Sequence, residues 1–269
     1  MKEIERKEQR KILIDILKYF DNICRKNNLN YSLTGGSLIG AIRHKGIIPW
    51  DDDIDVVLLS SDYDKLLNIL KNEKNDIYEV QYFGCNETYF YPFIKIIDKR
   101  TKLIEKDKRD IENYGIYLDV FSFNKVPNNE LARKMHYKKI LFYKKLINLY
   151  SYNQDYIKNE KNFIKRCGSF LCSKIGFRFL NNRYIYNLTK YNKKENYEFY
   201  MSNWPFYGFD KEIFNKECFN KFVDCDFEDM KAMISASYDN ILKTLYNDYM
   251  KLPPVEKRTT THNIDVYWK

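Results

Sequence analysis

Two clusters of reactive residue types stand a short distance apart near the N-terminus. Gly35-Gly36-Ser37 opens an apolar run of Leu38, Ile39, Ala41 and Ile42, and Asp51-Asp52-Asp53-Ile54-Asp55 runs straight into Val56-Val57-Leu58-Leu59. Glycines permit backbone paths closed to other residues, so their amides can turn together toward one anion. A helix starting at Ser37 would add its positive end to that spot. On a strand, residues i and i+2 share a face, so Asp53 and Asp55 project together while Ile54 and Val56 enter the core. Two adjacent carboxylates repel one another and call for a divalent cation between them. A phosphate cradle beside a carboxylate pair is the equipment for metal-assisted phosphoryl transfer.

Between the clusters lie Arg43, His44 and Lys45, placed to neutralise phosphate oxygens; a plain surface position is the other reading of His44. Asp51 follows Trp50 and would cap or brace the loop, and Asp52 would point away from Asp53 on an extended chain. Further on, the run IYLDVFSF at 116–123 puts Tyr117, Asp119 and Phe121 on one face. Taken alone, the acid suits the wet side of a half-buried sheet. Lys95, alternating within Phe93-Ile94-Lys95-Ile96-Ile97, faces either the site or solvent. His136 and His262 show no partner in the sequence.

These runs resemble the LicD family. Gly40-Ala41-Ile42-Arg43-His44-Lys45-Gly46 followed by Ile48-Pro49-Trp50-Asp51-Asp52-Asp53-Ile54-Asp55 is close to that family's signature, and Gly115 to Phe121 resembles its matching strand. Leu245-Tyr246-Asn247-Asp248-Tyr249-Met250 through Pro254, then Glu256-Lys257-Arg258, resembles LicD proteins again. The likeness reaches both ends of the chain and is weakest over 131–200. LicD members are similar to polymerase β-like nucleotidyltransferases, which implies an α+β fold: a mixed sheet flanked by helices, with helical additions. In such folds a neighbouring strand supplies a third carboxylate, here Asp119.

The resemblance implies an enzyme that moves phosphocholine, or a related alcohol phosphate, from a CDP-alcohol such as CDP-choline. The acceptor would be a hydroxyl of a cell-surface glycan, a teichoic acid or lipopolysaccharide sugar, and CMP would leave. Fukutin-type relatives move ribitol phosphate from CDP-ribitol. Asp53, Asp55 and Asp119 would hold one or two Mg²⁺, with Mn²⁺ as a substitute, and Asp119 would also take the hydroxyl proton. Gly35, Gly36 and Ser37 would hold the diphosphate, with Arg43, His44 and Lys45 beside it. Choline would want an aromatic cage, whose members the sequence does not single out. Two other classes stay open. One is a nucleotidyltransferase that attacks an NTP and releases pyrophosphate; it should lack the Trp-Asp-Asp-Asp and Tyr-x-Asp-Tyr-Met-x-Leu-Pro-Pro runs. The other is a non-catalytic nucleic-acid or lipid binder. Carboxylates repel phosphate without metal, so nucleic acid is not expected as a partner.

The elements that must position these groups follow from periodicity. Leu13, Ile16, Leu17, Phe20 and Cys24 recur at helical spacing within 4–24, and Asn27 to Asn30 break that helix. Tyr31-Ser32-Leu33 is a strand feeding the Gly-Gly-Ser turn. The helix after the turn stops near Gly46, and Pro49 stops it again. Strands are expected at Ile54–Leu59, Tyr78–Phe83, Phe93–Ile97 and Ile116–Phe123. Ser61 and Asp64 carry a capping signature for a helix through Leu66, Leu67 and Leu70. A last helix runs through Tyr238, Ile241, Leu242, Leu245 and Tyr249 and stops at Leu252-Pro253-Pro254. The expected division is a catalytic core over 1–130, a helical, basic, Tyr- and Lys-rich insertion over 131–200, and a segment over 201–269 completing one domain.

The chain has 269 residues, 44% of them apolar and 17% aromatic, so it can bury a sizeable core. Its net charge of +9 suits an anionic partner or simply a basic solvated surface. Six Cys without a Cys-x-x-Cys pair, and three His, speak against zinc and for free thiols in a reducing cytoplasm. Residues 1–20 are too charged for a signal peptide, and no apolar run spans a bilayer. The expected location is cytoplasmic, with peripheral contact at the inner membrane face. That contact would fall at 163–180, where apolar residues alternate with Lys165, Arg166, Lys174 and Arg178. An ordinary helix packed on the core is the competing reading.

Overall fold

The computed structural model describes residues 1–260 and 263–269, so His262 lies outside the described residues. The fold is α+β. A seven-stranded mixed sheet carries the path β2 (Tyr31–Leu33), β3 (Asp55–Leu59), β7 (Tyr117–Val126), β5 (Ile94–Asp98) and β4 (Tyr78–Gln81), with β8 (Phe199–Ser202) and β9 (Ile213–Asn215) continuing from β7. Only β3 and β7 run parallel. β1 (Lys2–Glu3), β12 (Ile264–Trp268) and β6 (Thr101–Glu105) form a second sheet, so the two chain ends pair with each other.

The apolar stripe expected in the first helix exists and is buried. In α1 (Arg6–Lys26), Ile12, Leu13, Ile16, Leu17, Phe20 and Cys24 pack toward β5 and β7, while Asn28 leaves the helix at φ 53. α2 (Gly35–Ile39) begins two residues before Ser37 and passes into a π-helical turn over Gly40–His44. α3 (Ser60–Asn72) follows β3 directly. Neither Ser61 nor Asp64 caps it, because Leu59 is still extended and the first turn opens on Ser60. β7 is longer than expected at its C-terminal end. Its first half pairs with β3 and β5, and its second half with β8, some 80 residues on.

Residues 130–189 form a helical layer of α4 (Glu130–Ser151), α5 (Gln154–Lys158), α6 (Phe163–Ile175) and α7 (Phe177–Thr189). Asn129, Asn153 and Asn162 cap the first three through side-chain oxygens. α4 packs on both α6 and α7. The chain returns to the sheet through β8, α8 (Phe209–Glu212) and β9. The hairpin β10 (Phe222–Phe227) and β11 (Met230–Ser235) then lies against β2, with Tyr31 and Ser32 hydroxyls accepting from the amides of Met233 and Ser235. α9 (Tyr238–Tyr246) ends three residues before Tyr249, because Asn247 takes φ 59.

Candidate active site

Strand register builds the centre of the site. Asp55 on β3 stands opposite Asp119 on β7, and Asp119 stands opposite Lys95 on β5. Three ionisable groups therefore lie in one row across three adjacent strands. The Asp119 amide donates to Ile54 O at 3.1 Å, locking that register. Lys95 is only 2% exposed, and its ammonium donates to Asp119 Oδ1 at 2.5 Å. The same Nζ lies 3.3 Å from the Tyr117 ring centroid and 4.8 Å from that of Tyr91. Aromatic faces and a carboxylate thus replace the water that a buried ammonium has lost. The solvent-facing alternative does not hold for either residue: every residue of β5 is buried, and so is Asp119.

The glycine turn is tied to this row by hydrogen bonds. Thr34 N–H donates to Asp55 O at 3.1 Å, and Asp55 N–H donates to Ser37 Oγ at 2.9 Å. Ser37 is thereby buried as a brace between turn and strand. Gly35 sits at φ 56, a backbone region that suits glycine, and a Cβ there would lie 3.4 Å from Asp55 Oδ2. At Gly36 a Cβ would lie 2.6 Å from Asp51 Oδ2, so the absence of a side chain lets Asp51 in.

The acidic loop brings in more carboxylates than the strand argument foresaw. Asp51, Asp52 and Asp53 each offer an oxygen within 4.8 Å of the other two. The expectation that Asp52 points away from Asp53 fails, because 51–54 is irregular; Asp51 N–H closes a turn onto Ile48 O at 2.9 Å. Thr260 donates to Asp52 Oδ2 at 2.5 Å, and Gln9 to Asp52 O at 3.2 Å. Burial pushes the Asp55 carboxyl well above its usual range, and the charges of Asp53, Asp119 and Asp51 push it further, with Lys95 opposing. Among the described residues the three loop acids come together as a donor set for a hard divalent cation, while Asp55 and Asp119 stand outside that group, close enough for their charges to act on one another.

Arg43, His44 and Lys45 are engaged in holding the loop. Arg43 donates to the carbonyls of Tyr249 (2.7 Å) and Lys251 (3.3 Å) and to His44 Nε2 (2.9 Å). His44 is held below its ordinary pKa by burial and by Arg43, and its ring meets Trp50 edge-on. Lys45 adopts φ 58, and its carbonyl accepts from Glu228 N–H at 2.7 Å. The Glu228 carboxylate in turn accepts from Ile47 N–H at 2.9 Å, packed where a side chain at Gly46 would be. The tip of the β10–β11 hairpin thus clamps the loop that carries the acids.

Residues 28–159 match the LicD/FKTN/FKRP nucleotidyltransferase domain. They are a LicD-family domain. Over 275 aligned positions the chain is 29% identical to the lipopolysaccharide cholinephosphotransferase LicD of Haemophilus influenzae, with 99% of each protein covered. An uncharacterised protein of Rickettsia prowazekii is 39% identical over 121 residues, 44% of this chain and 41% of that protein. The human ribitol 5-phosphate transferase FKRP is 28% identical over 121 residues, 37% of this chain and 24% of that protein. The chain is therefore a phosphotransferase homologue, and its likeness to the first relative extends beyond the LicD domain at both ends.

Outside the LicD domain, the C-terminal third adds groups to which the sequence analysis gave no role at the site. Tyr207 and Tyr246 hydroxyls share a 2.6 Å hydrogen bond, and Tyr246 lies beside Gly35. Burial raises both phenols, and the nearby Asp55 charge adds to it. A chamber of about 80 Å³ opens between Gly35, Asp55 and the rings of Phe121, Trp204, Phe206, Tyr207 and Phe214, with Glu212 in its wall. Glu212 is buried and accepts from Tyr137 Oη (2.9 Å), Gly208 N–H (3.2 Å) and Phe206 N–H. A wider cavity of about 420 Å³ opens at Asp119, lined by Lys95, Tyr117, Glu105 and the other side of Phe121, Trp204 and Phe206. The sequence signals were the aromatic residues around 204–207 and the LicD-like run from Leu245, and nothing local tied either to Asp55.

Proposed function

We propose that this protein is a metal-dependent phosphotransferase that moves phosphocholine from CDP-choline to a hydroxyl of a cell-surface glycan and releases CMP. The observation that carries this reading is the Asp55–Asp119–Lys95 row beside Gly35 and Gly36, in a LicD domain. The near full-length likeness to a cholinephosphotransferase supports choline over ribitol. In this reading the sheet is a polymerase β-like core.

Asp53, Asp55 and Asp119 would hold the divalent ion, Mg²⁺ or Mn²⁺, with Asp51 at its edge. When bound, the ion would supply charge for the diphosphate and a lowered pKa for the attacking hydroxyl. The backbone of Gly35 and Gly36 would face the diphosphate. The acceptor hydroxyl would enter through the wider cavity and give its proton to Asp119, which Lys95 orients. Its oxygen forms a bond to the phosphorus bearing choline, the bond from that phosphorus to the bridging oxygen breaks, and CMP leaves with that oxygen. The trimethylammonium would occupy the small aromatic chamber, where ring faces and the Glu212 and Asp55 carboxylates favour a cation that cannot donate hydrogen bonds. In this reading the acceptor is a lipid-linked glycan at the cytoplasmic face of a membrane.

The test is a donor panel. Purified protein with Mg²⁺, a glycan acceptor and CDP-choline, CDP-ribitol or an NTP should yield CMP from CDP-choline at the highest rate, and none after EDTA. Pyrophosphate from an NTP would identify a nucleotidyltransferase instead.

A further inference from the structure

α6 has its apolar side facing outward. Ser169 and Cys172 face the protein, Gly168 lies against Leu149, and Ser173 accepts from Arg109 at 2.5 Å. On the opposite side, Phe163, Ile164, Phe170, Leu171 and Ile175 are 50–81% exposed and recur at helical spacing as one stripe. Gly176 turns the chain at φ 84, and Phe179 follows, 52% exposed. Burying small polar residues while showing five large apolar ones to water is the reverse of an ordinary surface helix.

Charge says what covers the stripe. Residues 161–194 contain nine Lys and Arg and no Asp or Glu, leaving 37 Lys and Arg against 37 Asp and Glu in the rest of the chain. The whole net charge of +9 therefore resides in the 34 residues that carry this stripe. Not every cation is available. Lys165 turns back to Glu160 at 2.8 Å, and Arg178 pairs with Glu87. Arg166 and Lys174 are exposed and make no ion pair among the described residues. A second copy of this face would set two basic surfaces against each other, which disfavours self-pairing.

We infer that the outer face of α6, with Phe179 and its flanking cations, docks on an anionic lipid surface. The apolar stripe enters the interface between headgroups and acyl chains, and Arg166 and Lys174 meet the lipid phosphates. Among the described residues no helix is long and apolar enough to cross a membrane, so this contact is peripheral.

Sedimentation of the full chain with vesicles tests this without reference to catalysis. The protein should pellet with vesicles of equal phosphatidylglycerol and phosphatidylcholine, and not with phosphatidylcholine alone. Phe170→Ser with Leu171→Ser should lower partitioning at least ~10-fold. Arg166→Gln with Lys174→Gln should weaken it at low salt and change little at high salt. These side chains are exposed, so the variants should keep their circular dichroism; Phe163→Ser with Ile164→Ser is a second apolar pair. The inference is overturned if the protein stays in solution with anionic vesicles at low salt, or if both apolar pairs bind as the parent does. It is overturned equally if light scattering shows a dimer that the apolar changes dissociate.

Discussion

Lys95 is a cation that β-strand alternation could not assign, since β5 is buried along its whole length and has no wet face. Its role follows from the register that sets it against Asp119. Lys95→Met should leave a carboxylate in the core without its ammonium and destabilise the fold by about 3 kcal/mol. Adding Asp119→Asn should recover part of that loss in urea melts; equal losses for the single and double variants would mean the pair is not coupled. Asp53→Asn, Asp55→Asn and Asp119→Asn change charge with almost no change of shape. Each should lower turnover at least ~10³-fold, about 4 kcal/mol in the barrier; the unfolding midpoint should change little for Asp53→Asn and Asp55→Asn but fall for Asp119→Asn, which leaves the buried Lys95 ammonium without its carboxylate. Near-parental turnover in any one of them would remove it from the site. His136 offers a pH test of the core. It is buried against Tyr191, its ring nitrogens have no hydrogen-bond partner among the described residues, and burial, then Lys190 and Lys139, bring it down to about 4. A base depressed by folding contributes stability that is full above its unfolded pKa of ~6.5 and is lost as pH falls toward 4. About 3 kcal/mol should disappear across that window and persist in His136→Phe. An unchanged pH profile in the variant would contradict the assignment.

At the scale of elements, the acids are held from three sides: the glycine turn, α1 through Gln9, and the β10–β11 hairpin through Glu228. Gly36→Val should push Asp51 out of the site and weaken CMP binding at least ~10-fold by calorimetry, with the protein still folded. Unchanged affinity would place the phosphates elsewhere. This arrangement was only partly legible in the sequence. β2, β3 and the apolar stripe of α1 announced themselves because their signals are local: a period of two or 3.6, a Gly-Gly turn, a run of acids. The partners of those elements were not legible. β6 pairs with the far C-terminal strand, the second half of β7 waits for β8, and the hairpin that clamps Lys45 and Ile47 lies some 180 residues beyond them. Such pairings leave no trace in the spacing of nearby residues. The partners of Arg43 and of the Lys45 backbone were illegible for the same reason, since they come from 228 and 249–251.

Across the whole molecule, two chambers share the rings of Phe121, Trp204 and Phe206, and the ionisable row lies where they meet. The N-terminal half supplies the ionisable row, and the C-terminal third supplies Glu212 and four of the six aromatic residues of the small chamber. The likeness to the Haemophilus protein runs beyond the LicD domain at 28–159 and takes in those C-terminal residues. Lys144 braces the shared wall from behind, its ammonium donating to Pro205 O and lying 3.8 Å from the Phe206 ring centroid. The proposed reaction requires the donor to bridge the carboxylates and the aromatic chamber at once. Diffraction from crystals grown with Mn²⁺ and CDP-choline, read by the anomalous signal of manganese, tests that directly. The predicted result is manganese between Asp53, Asp55 and Asp119, with the trimethylammonium against Trp204 and Phe206 and the diphosphate over Gly35 and Gly36. Manganese bound by Asp51–Asp53 without Asp55 or Asp119, or a donor lying outside both chambers, would contradict it.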